Sequence, residues 1–312
     1  MGLSFDGQRL SDEAAPSYPS ASRKAVQKRK MLLLHLPVVF LLLLQPRSVL
    51  AAQLCPAPNF VALDQLAKAG CVADIPSLGS DAANRTLLGF RSQHGQDEWI
   101  YNNVFSRLPK IVDGFFVEFG ARDGIEGSNS FFFEKQGWSG LLVEPNEVEY
   151  SKLSQNRPGS KALRGALCDN RELQDFWIVS WPGWSGLEKN LRKSGQAGVI
   201  DDMVSGGKWT KKIVQVQCHY LPDHLPLREH INLLSADCEG CEEEVLLTLD
   251  WNTVLVDVII RERQCSSFLK EAESIWAMQK RGFTLVNWAS SDLIFVRNAL
   301  ARKLGMHRPA AQ

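Results

Sequence analysis

The sequence carries no net charge, because 35 basic side chains are matched by 35 acidic ones. That balance removes the bulk attraction by which nucleic-acid and polyphosphate binders hold their ligands. There is no G-x-G-x-x-G turn, so the pyrophosphate of a dinucleotide finds no backbone cradle. No internal repeat is visible, which excludes solenoids and propellers. An apolar run of the ~20 residues that span a bilayer is also missing. What remains is a 312-residue chain, 45% hydrophobic, long enough for one sizeable α/β domain with extensions.

The longest apolar run is "MLLLHLPVVFLLLL", Met31 to Leu44, interrupted by His35 and Pro37. The basic stretch "SRKAVQKRK" precedes it and the small residues of "QPRSVLAAQ" follow. Basic flank, short apolar run and small residues form a secretory signal. Residues 31–52 are therefore expected to be a signal peptide, with an uncleaved type II membrane anchor as the alternative. Residues 1–30 are polar and expected to be disordered. A myristoyl site at Gly2 fails, since Asp6 stands where Ser or Thr is needed. The expected compartment is the endoplasmic reticulum or Golgi lumen, or the cell exterior. There Cys55 and Cys71, in an extension over residues 53–91, can pair. Seven cysteines leave at least one thiol over or shared between chains. Asn84-Arg85-Thr86 is an N-glycan acceptor sequence usable only in that compartment.

Regular patterning begins at Ser92, and residues 92–300 read as the folded domain, with a tail over 301–312. "GFFVEFG", "GLLVEPN", "KALRGALCD", "INLLSAD" and "VLVDVII" read as strands. "GQDEWIYNNVF", "SNSFFFEKQ", "EVEYSKLSQN", "EEEVLLTLDW" and "FLKEAESIWAMQKRG" read as the helices between and around them. "KIVQVQCHY" alternates as a half-buried strand after a Trp/Gly-rich stretch from Phe176 to Gly207. "FTLVNWA" and "DLIFVRN" read as a closing hairpin. Such alternation means a mainly parallel sheet with helices on both faces.

Acids then recur at the carboxyl ends of the strands, where open α/β sheets bind ligands. Glu118 and Asp123 follow the first strand, Glu144 ends the second, Asp169 follows the third, and Asp237 and Glu239 end the fourth. One such acid is an ordinary cap or turn former, but four strand ends in succession make a pocket. Carboxylates beside the Gly120–Gly124 turn repel phosphate and suit a cationic ligand with ribose hydroxyls. S-adenosylmethionine has both, and Glu144 is placed to accept from its ribose diol.

The blocks "SQHGQDEWI", "GFFVEFGARDGIEGSNS", "GWSGLLVEPN", "LSADCEGCEEEVL" and "GF…DLIFVRN" together resemble the FkbM-type methyltransferases over about Ser92 to Asn298. The resemblance implies a class I methyltransferase (Rossmann-like) fold with a final antiparallel strand. It also implies S-adenosyl-L-methionine as cofactor and a hydroxyl on a sugar, glycan or other small molecule as acceptor. The residues taken to line the cofactor are Glu118, Gly120, Asp123, Gly124, Asn129, Glu144, Asp169 and Asp237. Asp237 or Glu239 would receive the acceptor's proton, and no metal is required. The chain also resembles the Star-like secretory branch, which makes a non-catalytic endomembrane protein binding cargo or a partner the alternative function.

Where the family usually has small apolar residues, this chain has cysteines: Asp237-Cys-Glu-Gly-Cys-Glu242. Cys238 and Cys241 are expected as small buried side chains, the alternatives being a redox pair or half of a zinc site. Cys168, Cys218 and His219 would complete a zinc site only by converging in the fold. A thiol oxidoreductase built on this pair is a third reading, and it needs exposed sulfurs. Trp177, Trp181 and Trp184 read either as acceptor-pocket aromatics or as core, and Phe131 to Phe133 as helix packing.

Overall fold

The computed structural model describes residues 82–225, 230–263, 268–288 and 291–306. The signal or anchor and the Cys55–Cys71 pairing lie outside the described residues.

β1 (Phe115–Phe119) is buried at every position, so it must be covered on both faces. It pairs in parallel with β2 (Ser139–Glu144) on one side and β8 (His230–Ala236) on the other. β3 (Lys161–Arg164) extends the sheet beyond β2 in parallel, and β9 (Leu255–Glu262) extends it beyond β8. β11 (Asp292–Arg297) runs antiparallel to β9, and β10 (Phe283–Trp288) closes the edge as its hairpin partner. The order β10-β11-β9-β8-β1-β2-β3 is the class I methyltransferase sheet implied by the sequence, with its antiparallel closing strand.

Strand alternation divides two cores. Val117, Phe119, Leu141, Leu234 and Ile259 pack with Val245 and Ile275 of the helices after β8 and β9. Phe116, Leu142, Leu233 and Val258 pack with Ile100, Phe133 and Leu153 on the opposite face. Phe132 and Phe133 are core, as expected, while Phe131 lies under the cations of Arg91 and Lys135. The closing helix Asn298–Lys303 buries Leu300 and Ala301, and Leu304 follows them into the same core. The chain after residue 300 thus begins as packed structure rather than as a tail.

"KALRGALCD" is not one strand. It breaks at Gly165, whose φ is +144° and where an added Cβ would stand 2.3 Å from the Gln217 carbonyl oxygen. β3 stays in the main sheet, while β4 (Ala166–Cys168) joins a second one, ordered β4-β7-β5-β6. Its other strands are β5 (Leu173–Val179), β6 (Gly186–Leu187) and β7 (Lys211–Tyr220). The Trp/Gly-rich stretch therefore carries β5, β6 and two helices, Glu188–Ser194 and Gln196–Ser205. Cys168 and Cys218 do converge, but as a disulfide joining β4 to β7, which leaves neither sulfur to ligate a metal. His219 Nε2 sits 3.0 Å from the Arg164 carbonyl oxygen, a contact across the break at Gly165. Trp177 is core at 1% exposure, whereas Trp181 is 57% exposed.

Candidate active site

The strand order reverses between β1 and β8, and in open α/β sheets the crevice that takes a ligand lies outside the carboxyl ends of the strands at such a switch point. On the β1 side the chain turns sharply through Gly120 and Gly124, at φ +76° and +79°. A Cβ at Gly120 would lie 1.9 Å from the Asp237 carbonyl oxygen. Only glycine lets the β1 turn pass this close to the end of β8. At Gly124 a Cβ would meet Leu153 Cδ1 at 2.5 Å and Arg157 Cγ at 2.7 Å. The glycines thus serve close packing within the protein, a reason beyond the cofactor approach expected from sequence.

Glu118 faces inward. Its carboxylate accepts from Ser128 Oγ at 2.7 Å, the Asn129 amide at 2.7 Å and Ser130 Oγ at 2.5 Å. These bonds hold the loop in shape. Asp123 Oδ1 also shapes the loop, accepting from the Ile125 and Glu126 amides at 2.9 Å each. Asn129 is different. Its Nδ2 donates to Ser235 Oγ on β8 at 3.0 Å, and its buried Oδ1 has no protein partner. A buried acceptor without a donor is costly, and an ammonium group of a ligand would satisfy it.

Glu144 ends β2 with its two oxygens turned to backbone amides, Arg122 N at 2.8 Å and Asn146 N at 2.7 Å. Each oxygen keeps a lone pair for a diol. Burial pushes its pKa up to about 7, against the lowering effect of those two amides. Asp169 follows β4 of the second sheet, not the third strand of the main one. It lies 3.6 Å from Lys189 Nζ, which also holds Glu244.

Across the crevice, Asp237 and Glu239 are joined by Glu262 at the end of β9. Carboxylate oxygens of these three lie within 4.8 Å of one another. Oxygen donors in that arrangement could hold a hard cation such as Mg²⁺ or Ca²⁺. Without one, like charges at this range cannot all ionise, and protons are retained. Asp237 is raised well above the usual carboxylate range, chiefly by burial, then by Glu239, Asp292, Glu242 and Glu118. Asp237 is nevertheless solvent-exposed, which moderates that push. Burial takes Glu239 to about 8, opposed by the hydrogen bond from Gln196. Glu262 is raised chiefly by burial, then by Glu239 and Asp237. Gln196 opens the inserted helix and donates from Nε2 to Glu239 Oε2 at 2.5 Å. Asp292, paired in register with Glu262, accepts from Gln96 Nε2 at 2.6 Å.

Glu239 also sits at φ +58°, and with Arg122 (φ +49°) it is one of two non-glycine residues in the left-handed region among the described residues. Both lie on loops bordering the crevice, where backbone strain tends to collect at functional sites. Cys238 and Cys241 are not two free side chains: they form a disulfide closing over Glu239 and Gly240. Sequence reasoning missed Glu262 and Gln196. The first was hidden because the strand reading stopped at Ile260, the second because its helix lay in a stretch given no structure.

A separate cleft of about 440 Å³ opens at the opposite end of the sheet, lined by His230, Asn232, Asp257 and Arg297. Asp257 there accepts from all three neighbours. It contains none of the strand-end acids.

Residues 118–285 match the methyltransferase FkbM domain, more than half of the 312-residue chain. Among solved structures, a TehB-like SAM-dependent methyltransferase from Corynebacterium glutamicum is 12% identical with a TM-score of 0.33. That alignment covers 76% of this chain and 98% of the other. Monomeric WbdD is 9% identical with a TM-score of 0.37, over 76% of this chain and 48% of that one. No curated protein matches the sequence.

Proposed function

This chain belongs to the FkbM methyltransferase family, and from that premise we propose that it methylates a hydroxyl on a saccharide or other small acceptor. The observation that carries the reading is the orphaned Oδ1 of Asn129 and the Asp237–Glu239–Glu262 cluster, both at the strand ends where Glu144 closes β2. S-adenosylmethionine, when bound, supplies an electrophilic methyl on a sulfonium. Glu144 would hold the ribose hydroxyls, and Asn129 Oδ1 would accept from the ammonium. Asp237, at the solvent-open edge of the cluster, would orient the acceptor hydroxyl and take its proton. Glu239 and Glu262 keep the Asp237 carboxyl basic enough to do so. Alignment of the two reactants accounts for much of the rate. Protons shared among the three acids supply the compensation that a metal would otherwise give, so EDTA should leave transfer unchanged.

Calorimetry with S-adenosylhomocysteine tests the cofactor half. The full-length protein should bind, and Glu144→Ala should weaken binding by ~1.5–3 kcal/mol, the scale of hydrogen bonds to a charged group. Affinity in the parent should strengthen as pH rises through about 7, where Glu144 ionises. A folded Glu144→Ala protein with parental affinity would remove the ribose from this strand end.

The proposed setting is the secretory lumen. Two disulfides support it, as does Asn84, which is exposed on the helix Ala82–Leu88. In a eukaryotic cell Asn84→Gln should abolish a glycosidase-sensitive mobility shift. A protein that never acquires glycan and is digested by protease outside sealed microsomes would refute the lumenal setting.

A further inference from the structure

We propose that Cys238–Cys241 is a thiol–disulfide exchange site for a dithiol reductant, and that its state sets whether Glu239 stands in the carboxylate cluster. The proposal rests on the reading of that cluster as the acceptor side of the methyl-transfer site.

The ring is small and encloses the residue that matters. The cysteines are three positions apart with Cα atoms 5.5 Å from each other. Between them lie Glu239 and Gly240, both at positive φ, +58° and +102°. Gly240 adopts that conformation freely, but Glu239 does so against a steric preference of roughly 1–2 kcal/mol. The conformation persists because neighbours over-determine it. Gln196 grips the Glu239 carboxylate, and Glu242 Oε1 accepts from the Cys238 and Gly240 amides at 3.0 Å each. The disulfide ties the two ends of the turn. Opening it frees Cys238 to move away from Cys241 and lets Glu239 return to negative φ, out of reach of Asp237 and Glu262.

The open form has a partner ready. Glu242 Oε1 lies 3.3 Å from Cys238 Sγ, placed to accept from a thiol there.

Access favours this pair over the other. Cys238 is half-buried, whereas Cys241 is 2% exposed and belongs to the core. Cys168 and Cys218 are each 1% exposed, and their bond ties two strands together. A thiolate of the incoming dithiol would attack Cys238 Sγ, forming a mixed disulfide and expelling Cys241 as thiolate, which takes up a proton. The second thiolate of the reductant then attacks its own sulfur in the mixed disulfide and releases Cys238 as the thiol. Two electrons pass to the protein, and the reductant leaves as its disulfide.

The test uses the full-length protein, dithiothreitol as the dithiol and S-adenosylhomocysteine as the binding probe. Differential alkylation should show Cys238 and Cys241 gaining label at reductant concentrations that leave Cys168 and Cys218 unlabelled. Over the same range, deuterium exchange at residues 237–242 should rise, and affinity for the probe should fall about tenfold, the loss expected when a pre-organised loop is released. Cys238→Ala/Cys241→Ala should show the weaker affinity with or without reductant. If that variant does not fold, the reductant titration of the parent decides alone. Reduction of the pair with unchanged exchange overturns the proposal, as does a variant that binds like the oxidised parent. A response persisting in the variant would assign the effect to Cys168–Cys218 and overturn it equally. Absence of probe binding in both redox states would instead count against the cofactor reading, and exchange at the loop would still judge the switch.

Discussion

Asp237→Asn should lower methyl transfer by roughly a hundred- to ten-thousand-fold, the range over which positioned proton acceptors contribute. The amide is isosteric with the acid, so the end of β8 and its contact with Gly120 should survive. What is lost is the oxygen able to take the acceptor's proton. The readout is incorporation of labelled methyl from S-adenosylmethionine into a panel of saccharides and small hydroxylic compounds. Cofactor affinity should change far less than the rate. In the parent, the rate should climb as pH rises through about 8, the value to which burial takes Glu239, because the cluster titrates as a unit. A folded Asp237→Asn protein that transfers methyl at the parental rate would move the chemistry elsewhere.

Stability should follow the opposite course with pH. Glu144 and Glu239 start from an ordinary value of 4.5 and are held at about 7 and about 8 in the folded protein. Between those limits the folded state binds more protons than the unfolded one, so unfolding free energy falls as pH rises. Their contribution is fully present below 4.5 and lost as pH climbs through 7 and 8. A site that works best when its acids are ionised is thus one that the empty protein holds least comfortably, and cofactor binding should offset part of the loss.

The main sheet was legible because its central strands are buried on both faces, which writes continuous apolar runs into the chain. The acids were legible for a related reason: each ends such a run. Glu262 was not, because Arg261 and Glu262 look like the start of a loop. Only pairing with β11, where Asp292 stands opposite Glu262, extends β9 that far. The second sheet was illegible for the same physical reason. β5 takes its place from β7, more than thirty residues on, and β6 pairs only with β5, so local periodicity carries no trace of the partner that sets the sheet. Cys168 and Cys218 are 50 residues apart, and spacing alone cannot pair them.

Glu118 shows how a strand-end acid can be functional in a second sense, and Arg157 is the means of testing it. Arg157 is fully buried at the end of the helix Glu147–Asn156. Its Nη1 donates to the Gly124 carbonyl oxygen at 2.8 Å and to Ser128 Oγ at 3.2 Å, and its Nη2 to Ser130 Oγ at 3.0 Å. Its Nε stands 2.9 Å from Glu134 Oε2. Ser128 and Ser130 are the two hydroxyls that Glu118 accepts from, so the guanidinium compensates that buried carboxylate through them. Arg157→Ala would strand both acids and empty the space beneath the glycine turn. Removing one partner of a buried charge network costs ~3–5 kcal/mol, and a urea unfolding midpoint should fall accordingly. Arg157→Lys should recover only part of the loss, since an ammonium cannot reach a carbonyl, two hydroxyls and a carboxylate from one plane. An alanine variant within ~1 kcal/mol of the parent, below the cost of one uncompensated buried charge, would mean that Glu118 is held by its serines alone. The turn would then owe its shape to Gly120 and Gly124 rather than to the charge beneath it.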